Sequence, residues 1–169
     1  MNLIERLNTG PILCAEGYLF AMERRGYLQA GSFVPEVDLD NPEVVTQLHK
    51  EFIRAGSDVV QAFTYYGHRE KLRLIGKEDL LEPLQKTALN IAKEAANDFK
   101  DLDLLVCGDV ANTNIFDPLD KSSSVECQHM YEEQIRWAKE ASVDFVIAET
   151  IDWVDEMKIA LKAINDEGL

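Results

Sequence analysis

Four polar clusters in the sequence could do chemistry, and each lies at the end of a short apolar run. The clusters are Glu16-Gly17-Tyr18, Thr64-Tyr65-Tyr66, Asp109 with Asn112-Thr113, and Glu149-Thr150. Two carboxylates that face a common ligand suit an ammonium group or general acid–base chemistry. Glu16 and Glu149 are therefore candidate binding residues. The alternative is that each stabilises the helix that follows it, since acidic side chains favour helix N-termini.

Aromatic residues accompany these carboxylates. Phe63, Tyr65 and Tyr66, together with Phe33 on an earlier loop, are placed to form a wall that holds a methylated cation by cation–π attraction. Core packing is the alternative for all of them. It is the favoured explanation for Phe63, which lies inside an apolar run.

The cysteines and histidines show no metal-binding motif. The three cysteines are widely separated and include no CxxC pair: Cys14, Cys107 and Cys127. We expect three reduced thiols, some of them buried. The three histidines have no partner at metal-ligand spacing, and we expect them at the surface: His49, His68 and His129.

The composition excludes some classes of partner. The chain of 169 residues has 17 Lys and Arg against 31 Asp and Glu, which gives a formal net charge of −14. Binding to nucleic acid or to an anionic membrane surface depends on clustered basic residues, so neither is expected. The first residues lack the apolar region of a signal peptide, and no run is long enough to span a membrane. We therefore expect a cytoplasmic protein with a small-molecule ligand.

The elements that must position these clusters alternate between strands and helices. Apolar runs at 12–15, 58–64, 104–110 and 144–150 have the length and composition of buried strands. Helices are predicted between and after them, at about 42–55, 80–99, 123–141 and 154–164. Asn41-Pro42 is expected to begin the first of these helices and Gly56 to end it. A capping box at 123–126 is expected to begin the third. Strands separated by helices pair in parallel, and ligands bind at their C-terminal ends.

An internal similarity supports repeated βα units. Residues 55–64 (AGSDVVQAFT) align without gaps on residues 141–150 (ASVDFVIAET). A helix end, a short turn and a strand therefore recur two units apart. Such recurrence is typical of an even-numbered barrel or of a regular open sheet, and the residues alone leave both open.

Longer blocks of the chain resemble the homocysteine S-methyltransferase family, most closely its betaine–homocysteine branch. The blocks are AEGYLFAMERRGY at 15–27, LHKEFIRAGSD at 48–58, FTYY at 63–66 and DFVIAET at 144–150. The resemblance runs essentially from residue 4 to the end of the chain. It implies an α/β fold with parallel strands that forms the first four βα units of a (β/α)8 barrel, that is, a half-barrel.

The resemblance also implies an activity and a cofactor. The family transfers a methyl group from a betaine-like or S-methylmethionine-like donor to the thiolate of homocysteine, giving methionine, with zinc held by three cysteines. By match, Glu149 corresponds to a carboxylate that holds the amino-acid end of homocysteine. Substrate-binding residues are then Glu16, Gly17, Glu149 and Thr150, and donor-pocket residues are Phe33, Tyr65 and Tyr66.

The sequence also departs from the family pattern. Ala15 stands where the family has an aspartate, and Glu16 is expected to replace it from the next position. Thr150 stands where betaine enzymes have a donor-pocket tyrosine. Neither Cys14 nor the other two cysteines matches the zinc cysteines, which the family places in the second half of the barrel.

These departures lead to an expectation about the domain. Residues 1–169 are expected to be the N-terminal half of a homocysteine-binding methyltransferase domain that belongs to a longer enzyme. The C-terminal half, which carries the zinc-binding cysteines, is expected to be absent, and this chain alone is expected to bind no zinc. The rival hypothesis is a non-catalytic half-barrel that binds a partner half or pairs with a second copy of itself, because open parallel edges are a liability unless they are covered.

Overall fold

The structure, a computed structural model, describes residues 1–28 and 34–169. The helices are α1 (Leu3–Leu7), α2 (Tyr18–Arg24), α3 (Val37–Asp40), α4 (Pro42–Ala55), α5 (Arg69–Leu74), α6 (Leu81–Asn97), α7 (Lys121–Glu140) and α8 (Val154–Glu167), with a short 3-10 turn at Glu78–Leu80 before α6. The strands are β1 (Val59–Gln61), β2 (Leu105–Val110) and β3 (Phe145–Ala148).

The three strands form a parallel sheet in the order β1-β2-β3. Gln61 pairs with Cys107, and Cys107 pairs with Phe145. Three of the four predicted strands therefore form, each shorter than its apolar run. The prediction of a full strand at residues 12–15 was wrong: this run contributes only an isolated parallel bridge between Cys14 and Val59.

Helices cover one face of the sheet. The buried side chains of α4, α6 and α7 pack against strand residues that point to that face, among them Val60 and Val106. Gly108 lies close to α7: an added Cβ would be 3.2 Å from the Cβ of Ala138 and 3.4 Å from Val146. A side chain at position 108 would therefore require its neighbours to move by a few tenths of an ångström.

The helix boundaries follow local chemistry. Gly56 ends α4 in the left-handed region at φ 105°, as its position predicts. Asn41 and Pro42 begin the same helix as predicted, although the Asn41 side chain makes no cap hydrogen bond. The predicted capping box at 123–126 was wrong, because Asp120 caps α7 by accepting from the Ser122 N–H.

The internal similarity is also a structural one. Gly56 and Ser142 each lie just beyond the end of a helix, and both residues have a positive φ. In the first copy, the Asp58 carboxylate accepts from the Leu13 N–H at 2.8 Å; in the second, Asp144 accepts from the Val106 N–H at 2.7 Å. Each aspartate thereby ties its strand to the segment that lies beside it and precedes it in sequence, which gives this residue the same structural role in both copies.

The strand β3 is the sheet's more open side. Residues of β1 and β2 are buried, whereas those of β3 are all half-buried. Along 1–28 and 34–169, none of the helices is both long and apolar enough to cross a membrane.

Candidate functional site

A cavity of about 450 Å³ opens at the C-terminal ends of the strands. Each of the four predicted polar clusters contributes to its lining, together with neighbouring residues of α2 and β1. The lining residues are Glu16, Gly17, Tyr18, Leu19, Phe20, Gln61, Ala62, Phe63, Tyr65, Tyr66, Asp109, Glu149 and Thr150. The structure thus brings together six of the predicted site residues, Glu16, Gly17, Tyr65, Tyr66, Glu149 and Thr150. Phe33 lies outside the described residues.

The two predicted carboxylates lie in different surroundings. Glu16 is exposed on the loop before α2, whereas Glu149 is half-buried just beyond β3. The buried side chain of Gln61 donates a hydrogen bond of 2.9 Å to Oε1 of Glu149. A second contact involves the other end of the Gln61 amide, since the Cys14 thiol lies 3.8 Å from Oε1 of Gln61. The Glu149 carboxylate is therefore held in place before any ligand binds.

Asp109 is a buried acid in the same cavity. It is 3% exposed, and in the described part of the chain neither carboxyl oxygen has a hydrogen-bond partner. Burial raises the pKa of Asp109 well above its usual range, and the neighbouring Glu149 charge raises it further. The site consequently has a second acid, Asp109, whose charged form is disfavoured by burial and by the charge of Glu149.

The cysteines do not form a metal centre. Cys14 and Cys107 belong to one apolar cluster on the sheet face opposite the helices, whereas Cys127 is buried on α7, 3.1 Å from the Thr113 hydroxyl. Hydrogen bonding with Cys107 lowers the pKa of the Cys14 thiol, and burial raises the pKa of Cys107. Across 1–28 and 34–169, no three His, Cys, Asp or Glu side chains are grouped to hold a metal ion. These residues therefore do not fit the zinc site that the family resemblance implies.

The two tyrosines form the aromatic side of the cavity. The Tyr65 and Tyr66 ring centroids are 4.2 Å apart, and Lys71 Nζ lies 4.0 Å from the centroid of Tyr66. Tyr66 has φ 58°, a left-handed conformation that is uncommon for a bulky residue. Burial, with hydrogen bonding to Tyr65, raises the pKa of Tyr66 to about 12. Tyr66 thus already makes a cation–π contact, with an ammonium group of the protein itself.

Tyr18 forms the floor of the cavity. Its hydroxyl lies 2.9 Å from Nδ1 of His49, and its ring packs against Phe63 and Phe52 with centroids 5.6 and 5.0 Å away. Phe63 is buried, in agreement with core packing, and it also lines the cavity.

The histidines correct a prediction. His49 and His68 were expected at the surface, but they are 0% and 2% exposed. Burial lowers the pKa of His49 to about 3 and that of His68 to about 4, so both are neutral at pH 7. His129 is exposed, as expected.

Sequence reasoning named some lining residues without giving them a role and missed others. The sequence places Asp109 at a strand end but gives no sign that its carboxyl group is buried without a partner. The sequence does contain a sign that Gln61 has a special role, because it is the only residue with a side-chain amide in the apolar run 58–64. Nothing in the local pattern of Tyr18 indicated its buried contact with His49, which lies 31 residues further along the chain.

Comparisons with known proteins identify relatives across almost the whole chain. Residues 19–168 match the family model described as homocysteine S-methyltransferase. Over 99% of its length, the chain is 36% identical to betaine–homocysteine S-methyltransferase 1 of Mus musculus and 35% identical to that of Sus scrofa. It spans 41% and 60% of those two relatives, respectively.

A solved structure gives the same fold. The metallated form of the homocysteine methyltransferase MmuM from Escherichia coli superposes with a TM-score of 0.81 at 20% sequence identity, covering 97% of this chain and 62% of that one. The parallel α/β arrangement is thus shared with that enzyme. From the family match, which covers most of its residues, the chain belongs to the homocysteine S-methyltransferase family.

Proposed function

We propose that this chain binds homocysteine and a methylated onium donor as part of an enzyme that transfers the donor's methyl group to the homocysteine sulfur, giving methionine. The observation that supports it most directly is that the acidic pair, Glu16 and Glu149, and the aromatic pair, Tyr65 and Tyr66, line one cavity. A cavity with an acidic side and an aromatic side suits an amino acid beside a methylated cation.

The acidic side would hold the amino-acid end of homocysteine. Glu149 is oriented by Gln61, and exposed Glu16 adds a second negative charge at the rim. Gly17, with φ 83° and no Cβ, leaves room for the ligand beside Glu16. Thr150 adds a hydroxyl group to the lining.

The aromatic side would face the methyl donor; Phe33, which the family resemblance assigns to the donor pocket, lies outside the described residues. A betaine-like donor is favoured, because the relatives with 35% and 36% identity are named for betaine. An S-methylmethionine-like donor presents the same type of methylated cation. In either case the S–CH₃ bond forms as the homocysteine thiolate attacks, and the donor's C–N or C–S bond breaks with its electron pair on the departing atom.

We also propose a place for this chain in the domain. Residues 1–169 would be its N-terminal half, comprising the first four βα units of an eight-unit barrel, with the segment at 12–15 in the position of the first strand. The zinc-binding cysteines of the domain would then lie outside these residues. The role proposed for this chain is the binding of the two ligands by its own side chains.

The experiment is a calorimetric titration of the purified chain with L-homocysteine, with and without betaine, under reducing conditions. Homocysteine is expected to bind, and Glu149→Gln is expected to weaken binding about tenfold or more, because a charge-assisted contact is lost. The matched control Glu140→Gln changes an exposed glutamate far along α7 and should leave binding unchanged. Failure of the unaltered chain to bind homocysteine would overturn the proposal.

The half-domain assignment has its own test. The chain is supplied with zinc, homocysteine and deuterated betaine, and methionine is followed by mass spectrometry. Labelled methionine formed by the 169 residues alone would show a complete catalytic unit and refute the assignment. If the chain binds homocysteine but forms no methionine, the result agrees with the half-domain assignment.

A second candidate function is a non-catalytic half-barrel that assembles with another half. The half-buried state of β3, in contrast to buried β1 and β2, favours it. Sedimentation of the chain separates the two functions when it is combined with the titration. A stable assembly that binds no homocysteine would favour the assembly module.

A further inference from the structure

Asp109 is a buried carboxyl group in the cavity to which the proposed function assigns no role. It is 3% exposed, lines the cavity, and has no hydrogen-bond donor to either oxygen in the described part of the chain. A buried carboxylate without donors is costly, whereas a buried carboxylic acid is much less so. Asp109 therefore requires either a proton or a cationic ligand.

Glu149 lies beside Asp109. Asp109 pairs with Ile147 in the sheet, and Glu149 follows Ile147 by two residues, with its backbone N–H donating to the Val110 carbonyl at 3.0 Å. Both side chains line the cavity. Two ionised carboxylates are both acceptors and repel each other, so their contact becomes a hydrogen bond only when one of them is protonated. Burial and the Glu149 charge, both of which raise the pKa of Asp109, make Asp109 the natural proton holder.

Other groups around the pair do not neutralise it. The remaining titratable side chains of the cavity and its floor come from the segment at 12–15, the loop before α2, α2, β2 and the segment after β1: Cys14, Glu16, Tyr18, Cys107, Tyr65 and Tyr66. Among the described lining residues there is no Lys, Arg or His. Lys71 contacts Tyr66 from outside this lining.

We propose that Asp109 and Glu149 hold one proton between them in the empty site and release it when the ammonium group of an amino acid binds in its place. The inference rests on the proposed function, because it takes homocysteine as the ligand. The exchange is balanced: the carboxyl O–H bond breaks, the proton goes to water, and the ligand ammonium keeps its three protons. Afterwards one cation lies between two carboxylates.

This exchange gives the site a basis for selectivity. A primary ammonium donates hydrogen bonds to both carboxylates, whereas a quaternary ammonium has no N–H and cannot. The pair therefore favours the amino-acid end of homocysteine over the methylated cation of the donor. Each ligand is directed to its own side of the cavity.

The test is calorimetry of the full chain with L-homocysteine near pH 7, in a metal-free buffer with chelator, repeated in buffers of different ionisation enthalpy. The unaltered chain is expected to release up to about one proton for each homocysteine bound. Asp109→Asn, which cannot hold the proton, is expected to release almost none. The control ligand 4-mercaptobutanoate has the same thiol but no amine, and should cause no release.

A matched variant and a second measurement complete the design. Asp101→Asn alters an exposed aspartate on a loop and should release protons as the unaltered chain does. Infrared difference spectra of the unaltered chain should show a protonated carboxyl band that disappears when homocysteine binds, whether or not Asp109→Asn folds. Homocysteine binding without proton release or loss of this band overturns the inference while the proposed function stands. If the unaltered chain does not bind homocysteine, both are overturned.

Discussion

The side chain of Gln61, on β1, donates a hydrogen bond of 2.9 Å to Glu149, which lies just beyond β3 on the far side of the intervening strand β2. The two residues are 88 positions apart in sequence. Because Gln61 is buried and held by its strand, it orients a carboxylate at the cavity. This bond connects the parallel sheet to the proposed ligand contact.

Replacing Gln61 by methionine is expected to destabilise the protein and to weaken homocysteine binding. Methionine has a similar volume but no donor, so the Glu149 carboxylate loses its buried partner, at a cost of about 1–3 kcal/mol in the free energy of unfolding. Urea denaturation followed by circular dichroism measures the stability, and calorimetry measures the binding.

The chain contains a matched control for this substitution. Gln47 also donates to a glutamate, Glu51, but at 3.3 Å and in an exposed position on α4. Gln47→Met should change the free energy of unfolding by less than about 0.5 kcal/mol. Equal effects of the two substitutions would contradict the importance assigned to the buried bond.

Much of the strand and helix order could be predicted from the sequence because it depends on local patterns. Three of the four apolar runs form strands, and Gly56 ends α4 as its position predicts. The run at 12–15 pairs with β1 only around Cys14, where Val59 N–H donates to the Leu13 carbonyl and Ala15 N–H donates to the Val59 carbonyl, and the pairing goes no further along the strand. Short apolar runs look alike in sequence, and only the paired partner decides their length.

The site could be predicted in outline because polar residues after parallel strands meet at one edge of the sheet. Six predicted residues therefore line one cavity, and their functional roles remain predictions. The burial of His49 and the unpaired carboxyl of Asp109 could not be predicted, since each depends on neighbours distant in sequence. A lone histidine in a helix has the same local pattern whether its helix face meets solvent or a tyrosine hydroxyl.

Gly108 is expected to tolerate no side chain without loss of stability. A Cβ at this position would lie 3.2 Å from Ala138, and the larger Gly108→Val substitution would force α7 away from β2. Such overpacking costs about 1–3 kcal/mol, which lowers the melting temperature by several degrees in a chain of this size. Thermal denaturation measures the shift.

Gly10 provides the comparison. An added Cβ at Gly10 meets no heavy atom within 4 Å. Gly10→Ala should therefore leave the melting temperature nearly unchanged. If Gly108→Val melts at the same temperature as the unaltered chain, the close packing described for α7 and β2 is incorrect.

The buried histidines predict a pH dependence of stability. Their pKa values in the folded chain are lowered to about 3 for His49 and about 4 for His68, from a usual value of 6.5. Between pH 6.5 and these values the unfolded chain binds protons that the folded chain does not. Stability therefore falls as the pH decreases through this window, by up to about 3 kcal/mol for His68.

Denaturant titrations at several pH values separate this effect from that of the acidic residues. His68→Gln should reduce the loss of stability between pH 6.5 and 4, because one proton-binding group of the unfolded chain is removed. His129→Gln removes an exposed histidine and should leave the pH dependence unchanged. An identical pH dependence for His68→Gln and the unaltered chain would show that His68 is not neutral in the fold.

Glu156 is expected to be essential for attaching α8 to the rest of the fold. Its Oε1 accepts the Thr113 N–H at 2.8 Å and the Thr113 hydroxyl at 2.6 Å, and the Tyr131 hydroxyl lies 3.2 Å away. Glu156 is 2% exposed, so water cannot replace these contacts. Glu156→Ala leaves several buried donors without an acceptor and should cost at least about 3 kcal/mol in the free energy of unfolding. Glu156→Gln keeps an oxygen in place and should cost about 1 kcal/mol.

The neighbouring Asp155 tests whether this effect comes from the buried network rather than from charge on α8. Asp155 is exposed and pairs with Lys158 at 2.8 Å, so Asp155→Ala should cost less than about 1 kcal/mol. Urea denaturation of the three variants would give the order Glu156→Ala, Glu156→Gln, Asp155→Ala from least to most stable. If Glu156→Gln is as unstable as Glu156→Ala, the carboxylate charge matters more than its acceptor oxygen, and the account given for this contact fails.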